Sequence, residues 1–275
     1  MGDKMKNSDV KSNIIKNKVI AVWGTNGVGK SSFATQIAVL LSQDKNLNVL
    51  VLDFNTINPS LDHYFGISKD ISNLPYNIND QQNNLNNTGL GFAYDAKKRG
   101  IFDAKLLKKI IVTHPTMKNL HVLTGNYLFN LFEMFDEMLF DIIIGEAKKN
   151  FDIIIIDTNS IFFVDSTYSA LKNADAILSL AEADFTSLRD INRSINYLAS
   201  YVLKEKFKII INKYTKKHID KASIKQILED HILMEIIDCN EKHVTSKLQK
   251  HPFVLNCSQK EKKSYLNVVE KILEI

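Results

Sequence analysis

The sequence of 275 residues contains little cysteine, proline or tryptophan, with two, four and one residue of each type. Cys239 and Cys257 are far apart, and their spacing resembles no metal-binding motif. The seven histidines are equally dispersed, so the sequence offers no His- or Cys-based metal centre. A chain of this size without a disulfide framework is typical of a reducing compartment, and we expect a cytoplasmic protein.

Long apolar runs are also missing. No run approaches the roughly 18 residues that a membrane-spanning helix needs, so we expect any contact with the inner face of a membrane to be peripheral. Residues 1–16 form a polar tail without the apolar centre of a signal peptide, and we predict one domain over residues 17–275. The net charge of +4 permits nucleic-acid binding without implying it.

The most informative stretch is residues 24–31, Gly-Thr-Asn-Gly-Val-Gly-Lys-Ser. It fits the phosphate-binding pattern G-x-x-x-x-G-K-[ST] and lies between a predicted strand at 18–23 and a predicted helix at 31–41. Backbone N–H groups and the start of the helix would form an anion cradle for ATP or ADP. A plain glycine turn is the alternative. The predicted nucleotide-binding residues of this loop are Gly24, Thr25, Asn26, Gly27, Val28, Gly29, Lys30, Ser31 and Ser32.

Two carboxylates follow predicted strands and could serve the same ligand. The aliphatic run 153–156 ends at Asp157, as in a Walker B strand, and the aliphatic run 49–52 ends at Asp53. We expect Lys30 to reach the β- and γ-phosphates and the Ser31 hydroxyl to ligate Mg²⁺. We assign catalytic roles to Lys30 and Asp53, and Mg²⁺-binding roles to Ser31, Asp53 and Asp157. A strand-end cap is the alternative role for Asp53.

Predicted strands alternate with helices along most of the chain. This order indicates an α/β fold with a single doubly wound, mostly parallel sheet and helices on both faces. The Asn-rich residues 73–87 belong to a predicted flexible segment of about 70–100. Further strands are predicted at 119–123, 151–157, 176–180, 208–212 and 233–237, and helices at 103–112, 131–150, 185–203, 222–230, 241–249 and 260–274.

The set of motifs resembles the ParA/MinD-like ATPases, which carry a deviant Walker A loop. The resemblance covers most of the chain and includes Asp53 with Asn55, the pair Asp157 and Thr158, and Asn212 at a strand end. It implies that Asn212, with Lys213, binds adenine. It also implies a homodimer closed over ATP and Mg²⁺.

One branch of that family, the CpaE/TadZ-type proteins of pilus assembly and secretion, has an S-L-R-D helix start similar to residues 187–190 here. This resemblance implies a switch that helps localise or assemble a pilus, secretion or conjugation apparatus. It also implies a protein partner in a membrane-associated assembly. Because the first predicted strand begins at residue 18, we expect this chain to lack the receiver-like N-terminal domain that such proteins often carry.

Two positions depart from the family pattern. Thr25 replaces the loop lysine that crosses the dimer, and Asn26 stands where glycine is usual. Asn55 replaces the second aspartate of a D-x-D pair, and an amide cannot accept a proton from water at neutral pH. We therefore expect nucleotide binding with very slow hydrolysis. The CpaE/TadZ branch also lacks the loop lysine, so Thr25 agrees with that assignment.

Two other functions remain open. A plasmid or chromosome partition ATPase would bind DNA non-specifically, and Arg189 and Arg193 could face the phosphates, although a solvated helix face is the favoured interpretation. A pseudo-ATPase scaffold would dimerise with or without nucleotide. The last helix, 260–274, is amphipathic, and we expect it to dock on its own domain rather than on a membrane.

Overall fold

The computed structural model describes residues 17–67, 89–127 and 129–275. The tail 1–16 and the Asn-rich stretch 73–87 lie outside the described residues. The strands, in chain order, are β1 (Lys18–Gly24), β2 (Val49–Asp53), β3 (Val112–His114), β4 (Met117–Leu123), β5 (Ile153–Asp157), β6 (Ala176–Ala181), β7 (Phe207–Tyr214) and β8 (Ile232–Asp238). The helices are α1 (Lys30–Gln43), α2 (Leu61–Tyr64), α3 (Leu90–Lys98), α4 (Ala104–Ile110), α5 (Phe129–Phe132), α6 (Glu137–Lys148), α7 (Asp165–Asn173), α8 (Phe185–Leu198), α9 (Lys221–Leu228), α10 (Lys242–Leu248) and α11 (Gln259–Leu273).

These strands form a single eight-stranded sheet in the order β3-β4-β2-β5-β1-β6-β7-β8. Every neighbouring pair is parallel except β3 with β4, which is antiparallel. The predicted doubly wound α/β fold is therefore confirmed. Because β5 lies between β1 and β2, the carboxyl ends of these three strands meet at one edge of the sheet. Ligands of open α/β sheets bind at this edge.

The central strands are aliphatic on both faces because helices cover both sides of the sheet. Along β1, Val19, Ala21 and Trp23 belong to one hydrophobic cluster, which also includes side chains of α6 and α8. Ile20 and Val22 point to the other face and belong to a second cluster, which contains α1 and α11. All residues of β5 are buried, which explains its uninterrupted run of isoleucines.

Several elements differ from the sequence prediction. The predicted helix 131–150 is divided into α5 and α6, because the Asp136 side chain accepts the Leu139 N–H at 2.9 Å and begins a new helix there. The predicted segment of about 70–100 includes α3, whose Leu90, Ala93 and Ala96 are buried. The predicted helix 103–112 ends earlier, and Val112 instead begins β3.

The C-terminal helix α11 docks on the domain, as expected. Its apolar face, which includes Tyr265, Val268 and Ile272, is buried in the cluster around α1. The Tyr265 ring lies 6.0 Å from the Phe33 ring of α1, centroid to centroid. None of the helices in the described ranges is both long and apolar enough to cross a bilayer.

Candidate nucleotide site

The glycine-rich loop joins β1 to α1 at the carboxyl edge of the sheet. Gly24, with φ 147°, runs so close to β6 that a Cβ atom there would lie 2.0 Å from the Leu180 carbonyl oxygen. Gly29 precedes α1 in a left-handed conformation, with φ 89°, and no side chain caps the helix. The first turn of α1 contains no acidic residue. Its uncapped N-terminus therefore suits an anionic ligand.

Lys30 is folded over this loop and is largely buried. Its Nζ donates to the carbonyl oxygens of Gly24 at 3.4 Å and Thr25 at 3.2 Å, and to the Ser160 hydroxyl at 2.6 Å. Burial lowers the pKa of Lys30, and the nearby Asp157 carboxylate raises it. The ammonium group thus lies at the loop among neutral acceptors, and phosphate oxygens would be stronger acceptors.

Asp157 lies at the end of β5 and is fully buried. Among the residues that the structure describes, neither of its carboxylate oxygens has a hydrogen-bond partner. Burial raises its pKa, while the Ser31 side chain and the Lys30 charge lower it. A buried carboxylate without partners is costly, and a divalent cation would satisfy it. Ser31 and Asp157 therefore fit the first-turn hydroxyl and the carboxylate of a nucleotide-bound Mg²⁺.

Asp53 lies beside Asp157 in the register of β2 with β5, but its contacts are different. Its Oδ2 accepts the backbone N–H groups of Ser60 at 2.9 Å and Leu61 at 3.0 Å, and its Oδ1 accepts that of Asn55 at 3.3 Å. Asp53 therefore caps the turn into α2. Burial and the Asp157 charge raise its pKa, and the backbone N–H groups lower it. Its metal and catalytic roles stay predictions.

Asn212 and Lys213, at the end of β7, brace the loop from the side. The Asn212 Nδ2 donates to the Val28 carbonyl oxygen at 2.8 Å. The Lys213 Nζ donates to the Gly27 carbonyl oxygen at 2.6 Å and to a carboxylate oxygen of Glu182 at 2.8 Å. The structure thus brings both predicted adenine-binding residues to the loop, where they contact its backbone. Their contact with the base stays a prediction.

Three residues of this site were missed by the sequence analysis. Ser160 holds the Lys30 side chain, Ser187 forms a 2.9 Å hydroxyl–hydroxyl hydrogen bond with Thr25, and Glu182 pairs with Lys213. Ser160 follows the β5 strand end by three residues, which is the one signal that could have indicated it.

A cleft of about 310 Å³ lies along the loop, lined by Thr25, Asn26, Gly27, Val28, Glu182, Asp184, Thr186, Ser187 and Asp190.

The remaining predicted loop residues differ in exposure. Thr25 is half-buried, Asn26 and Gly27 are exposed, and Val28 is buried. Ser31 and Ser32, in the first turn of α1, are half-buried. Gly27 and Asn26 are therefore the part of the loop most open to solvent. Within the described ranges, no group of three or more His, Cys, Asp or Glu side chains could hold a metal by itself. Mg²⁺ bound through phosphates needs only one or two carboxylates.

Comparison with known proteins shows related sequences and folds. The chain is 30% identical over 142 residues to the cytosolic Fe–S cluster assembly factor NBP35 of Kluyveromyces lactis, covering 43% of this chain and 44% of that protein. The chain thus spans less than half the length of this curated relative. MinD of Pyrococcus horikoshii, solved with Mg-ADP, has a TM-score of 0.72 at 17% identity, covering 93% of this chain and 95% of that chain.

A second solved structure, a plasmid partition protein of Borrelia burgdorferi bound to AMPPNP, has a TM-score of 0.69 at 21% identity. The match covers 94% of this chain and 98% of that chain. At these identities the two structures show a shared fold. The sequence itself matches the model of the CobQ/CobB/MinD/ParA nucleotide-binding domain over residues 19–253, which contain the loop, both carboxylates and Asn212. This chain therefore belongs to the CobQ/CobB/MinD/ParA nucleotide-binding domain family.

Proposed function

We propose that this chain is an ATP-binding switch that dimerises when ATP and Mg²⁺ are bound and hydrolyses ATP slowly. One observation carries the proposal. At the carboxyl edge of the sheet, the Lys30 ammonium lies on the glycine loop, and beside it the buried Asp157 carboxylate has no hydrogen-bond partner within the described ranges. A cation for phosphates and a carboxylate for a metal thus occur together.

Different groups of the chain would bind different parts of the ligand. The loop N–H groups and the N-terminus of α1 would hold the phosphates, and Lys30 would turn from Ser160 to the β- and γ-phosphate oxygens. Ser31 and Asp157 would hold Mg²⁺, with Asp53 placed to orient its water shell. When bound, Mg²⁺ neutralises part of the phosphate charge. The side-chain amide of Asn212 would accept or donate a hydrogen bond at the edge of the adenine ring.

Slow hydrolysis is proposed because two groups are replaced. Thr25 bears no charge, and its hydroxyl is bonded to Ser187 within the same chain. Asn55 cannot act as a base. A cation directed at the γ-phosphate in the transition state is typically worth about 10³–10⁵ in rate. Binding of ATP, rather than its hydrolysis, would then drive the change between monomer and dimer.

The cellular role is a finer proposal. The S-L-R-D start of α8 supports the CpaE/TadZ-type role in localising a pilus, secretion or conjugation apparatus, with a partner in a membrane-associated assembly. The relatives described above have other roles. The similarity to the Borrelia partition protein supports the second candidate, a partition ATPase that binds DNA non-specifically through Arg189 and Arg193. A pseudo-ATPase scaffold is the third.

Equilibrium dialysis with ATP, with and without Mg²⁺, tests nucleotide binding. We expect Mg²⁺-dependent binding by the wild-type chain, and roughly 100-fold weaker binding by Lys30→Met, which is about 2.7 kcal/mol. Asp157→Asn should reduce the increase in ATP affinity that Mg²⁺ gives. The control Asp230→Asn changes an exposed side chain and should bind ATP as the wild-type chain does. Failure of the wild-type chain to retain ATP or ADP would remove the proposal.

Sedimentation velocity separates the switch from the scaffold. The switch requires a monomer without nucleotide and a dimer with ATP and Mg²⁺, whereas the scaffold dimerises in both conditions. A gel shift with duplex DNA and ATP over a salt series tests the partition function, because binding through phosphates weakens steeply as salt increases.

A further inference from the structure

A cluster of exposed aromatic side chains lies next to the nucleotide site. Phe163 follows β5, Tyr197 is in α8, and Tyr201 follows α8; they are 71%, 50% and 60% exposed. With Arg193, one helical turn before Tyr197, they form a surface that we call the aromatic–arginine surface. Single exposed apolar side chains are ordinary on proteins, but a contiguous group of them marks a binding surface.

The rings of this surface contact one another. Phe163 lies 6.0 Å and Phe162 5.5 Å from Tyr197, and Tyr197 lies 5.8 Å from Tyr201, centroid to centroid. Phe162 packs in turn against the buried Trp23, at 6.3 Å. The exposed rings therefore form a connected patch on a buried support, and binding to such a patch costs little side-chain entropy.

The charges around the patch are mixed, and the surface itself carries one cation, Arg193. Residues 185–206 include Arg189, Arg193, Lys204 and Lys206, against Asp190 and Glu205, and two more carboxylates, Glu133 and Asp165, line a cleft with Phe163. Asp190 pairs with Arg189 at 2.9 Å. Among the described residues Arg193 has no ion-pair partner, and it is exposed. A partner that pairs with Arg193 would therefore carry a carboxylate, and apolar side chains would cover the rings.

We propose that the aromatic–arginine surface binds an acidic segment of a partner protein that also bears apolar side chains. This inference deepens the proposed function, on which it rests for the existence of a protein partner. Tyrosine and arginine are the residue types that dominate binding energy at protein interfaces. The patch offers few cations for a nucleic-acid backbone, and its rings already contact each other, which leaves no gap for a base between them.

The surface also shares a loop with the nucleotide site. Residues 158–164 carry Phe162 and Phe163, and the same loop is held by the Trp23 Nε1 donating to the Ser160 carbonyl oxygen at 3.2 Å. Lys30 holds the Ser160 hydroxyl at 2.6 Å. A nucleotide that draws Lys30 away from Ser160 would therefore act on the loop that carries part of the surface.

The test uses the full chain with ATP and Mg²⁺. A random dodecapeptide library is selected on the wild-type chain and counter-selected on Phe163→Ser/Tyr201→Ser. We expect the enriched peptides to be acidic and to contain apolar residues. In fluorescence anisotropy, the best peptide should bind the double variant and Arg193→Glu at least about tenfold more weakly than wild type.

Two matched controls belong to this test. Val244→Ser/Leu248→Ser removes two exposed apolar side chains of α10, which are 65% and 77% exposed, and Lys225→Glu reverses an exposed charge in α9. Both should bind the peptide as wild type does. The double variant should still bind ATP in dialysis, which separates failure of this surface from failure of the nucleotide site.

Several results would overturn the inference. These are no enrichment, enrichment of basic peptides, or equal binding of the best peptide to wild type and the double variant. A second copy as occupant would appear as a dimer, in sedimentation, that the double variant loses. Nucleic acid as occupant would appear as binding of oligo(dT) by wild type that the double variant loses.

Discussion

Gly29 fixes the geometry of the nucleotide loop where it enters α1. It enters α1 in a left-handed conformation, and a Cβ atom there would lie 3.1 Å from the Asn212 Nδ2. The same Nδ2 donates to the Val28 carbonyl oxygen. A side chain at this position would therefore strain the backbone and disturb the brace between β7 and the loop.

We predict that Gly29→Ala lowers the free energy of unfolding by about 1–2 kcal/mol, the usual cost of the left-handed conformation. The affinity for ATP should also fall at least about tenfold, because the loop loses its brace. Urea denaturation and equilibrium dialysis measure the two effects. The control is Gly145→Ala in α6, where a Cβ atom would meet open space, so alanine should stabilise by about 0.5–1 kcal/mol. An unchanged ATP affinity of Gly29→Ala would contradict the role given to the brace.

At the scale of elements, α10 and α11 are joined by a partly buried histidine. The His243 ring stacks on Phe253 with centroids 4.0 Å apart, and its Nε2 lies 3.0 Å from the Tyr265 hydroxyl. Burial lowers the pKa of His243 from 6.5 to about 4. The folded chain thus takes up this proton at lower pH than the unfolded chain does.

We predict that this histidine makes the protein less stable in acid. Because the folded pKa is lower than the unfolded one, its contribution is complete above pH 6.5, declines as pH falls, and is lost by about pH 4. The loss is at most about 3 kcal/mol. Urea denaturation at several pH values should show a smaller acid loss for His243→Gln than for wild type. If the free energy of unfolding fell equally with pH in the two proteins, the prediction would be contradicted.

The sequence allowed most of the sheet to be predicted, because its strands are aliphatic runs such as β5 and are buried on both faces. It did not reveal α7, whose residues 165–173 are rich in serine, threonine and other polar types. The break before α6 was hidden because apolar spacing continues across Asp136. The hydrogen bond of the Asp136 helix cap sets that boundary, and hydrophobic periodicity does not detect a cap.

The candidate site was predictable where its residues are contiguous, and less so where separate elements meet. Residues 24–31 form a recognisable loop, and Asp157 ends an obvious strand. The contacts of Ser160 with Lys30 and of Ser187 with Thr25 join residues more than 100 positions apart. Asp53 shows the same limit. It accepts backbone N–H groups of the following turn, and the sequence alone does not distinguish this capping role from a metal-binding role.

At the scale of the whole molecule, the proposed switch depends on slow hydrolysis. We predict a wild-type turnover far below the enzyme median of about 10 s⁻¹. Thr25→Lys/Asn55→Asp should increase it, since it restores a cation and a base, and phosphate release measures the change. Thr25→Val is the control, because it breaks the bond to Ser187 without adding charge. Wild-type turnover near the median, or no gain in the double variant, would contradict the prediction.

The brace that Asn212 and Lys213 provide has a kinetic consequence. Both side chains donate hydrogen bonds to carbonyl groups of the loop. These hydrogen bonds order the loop within the folded chain, and a nucleotide that binds there loses less entropy in ordering it. The association rate of the nucleotide can then approach the rate of diffusional encounter. The dissociation rate of the nucleotide would then set the lifetime of the complex, and with it the time that this protein spends in the bound state.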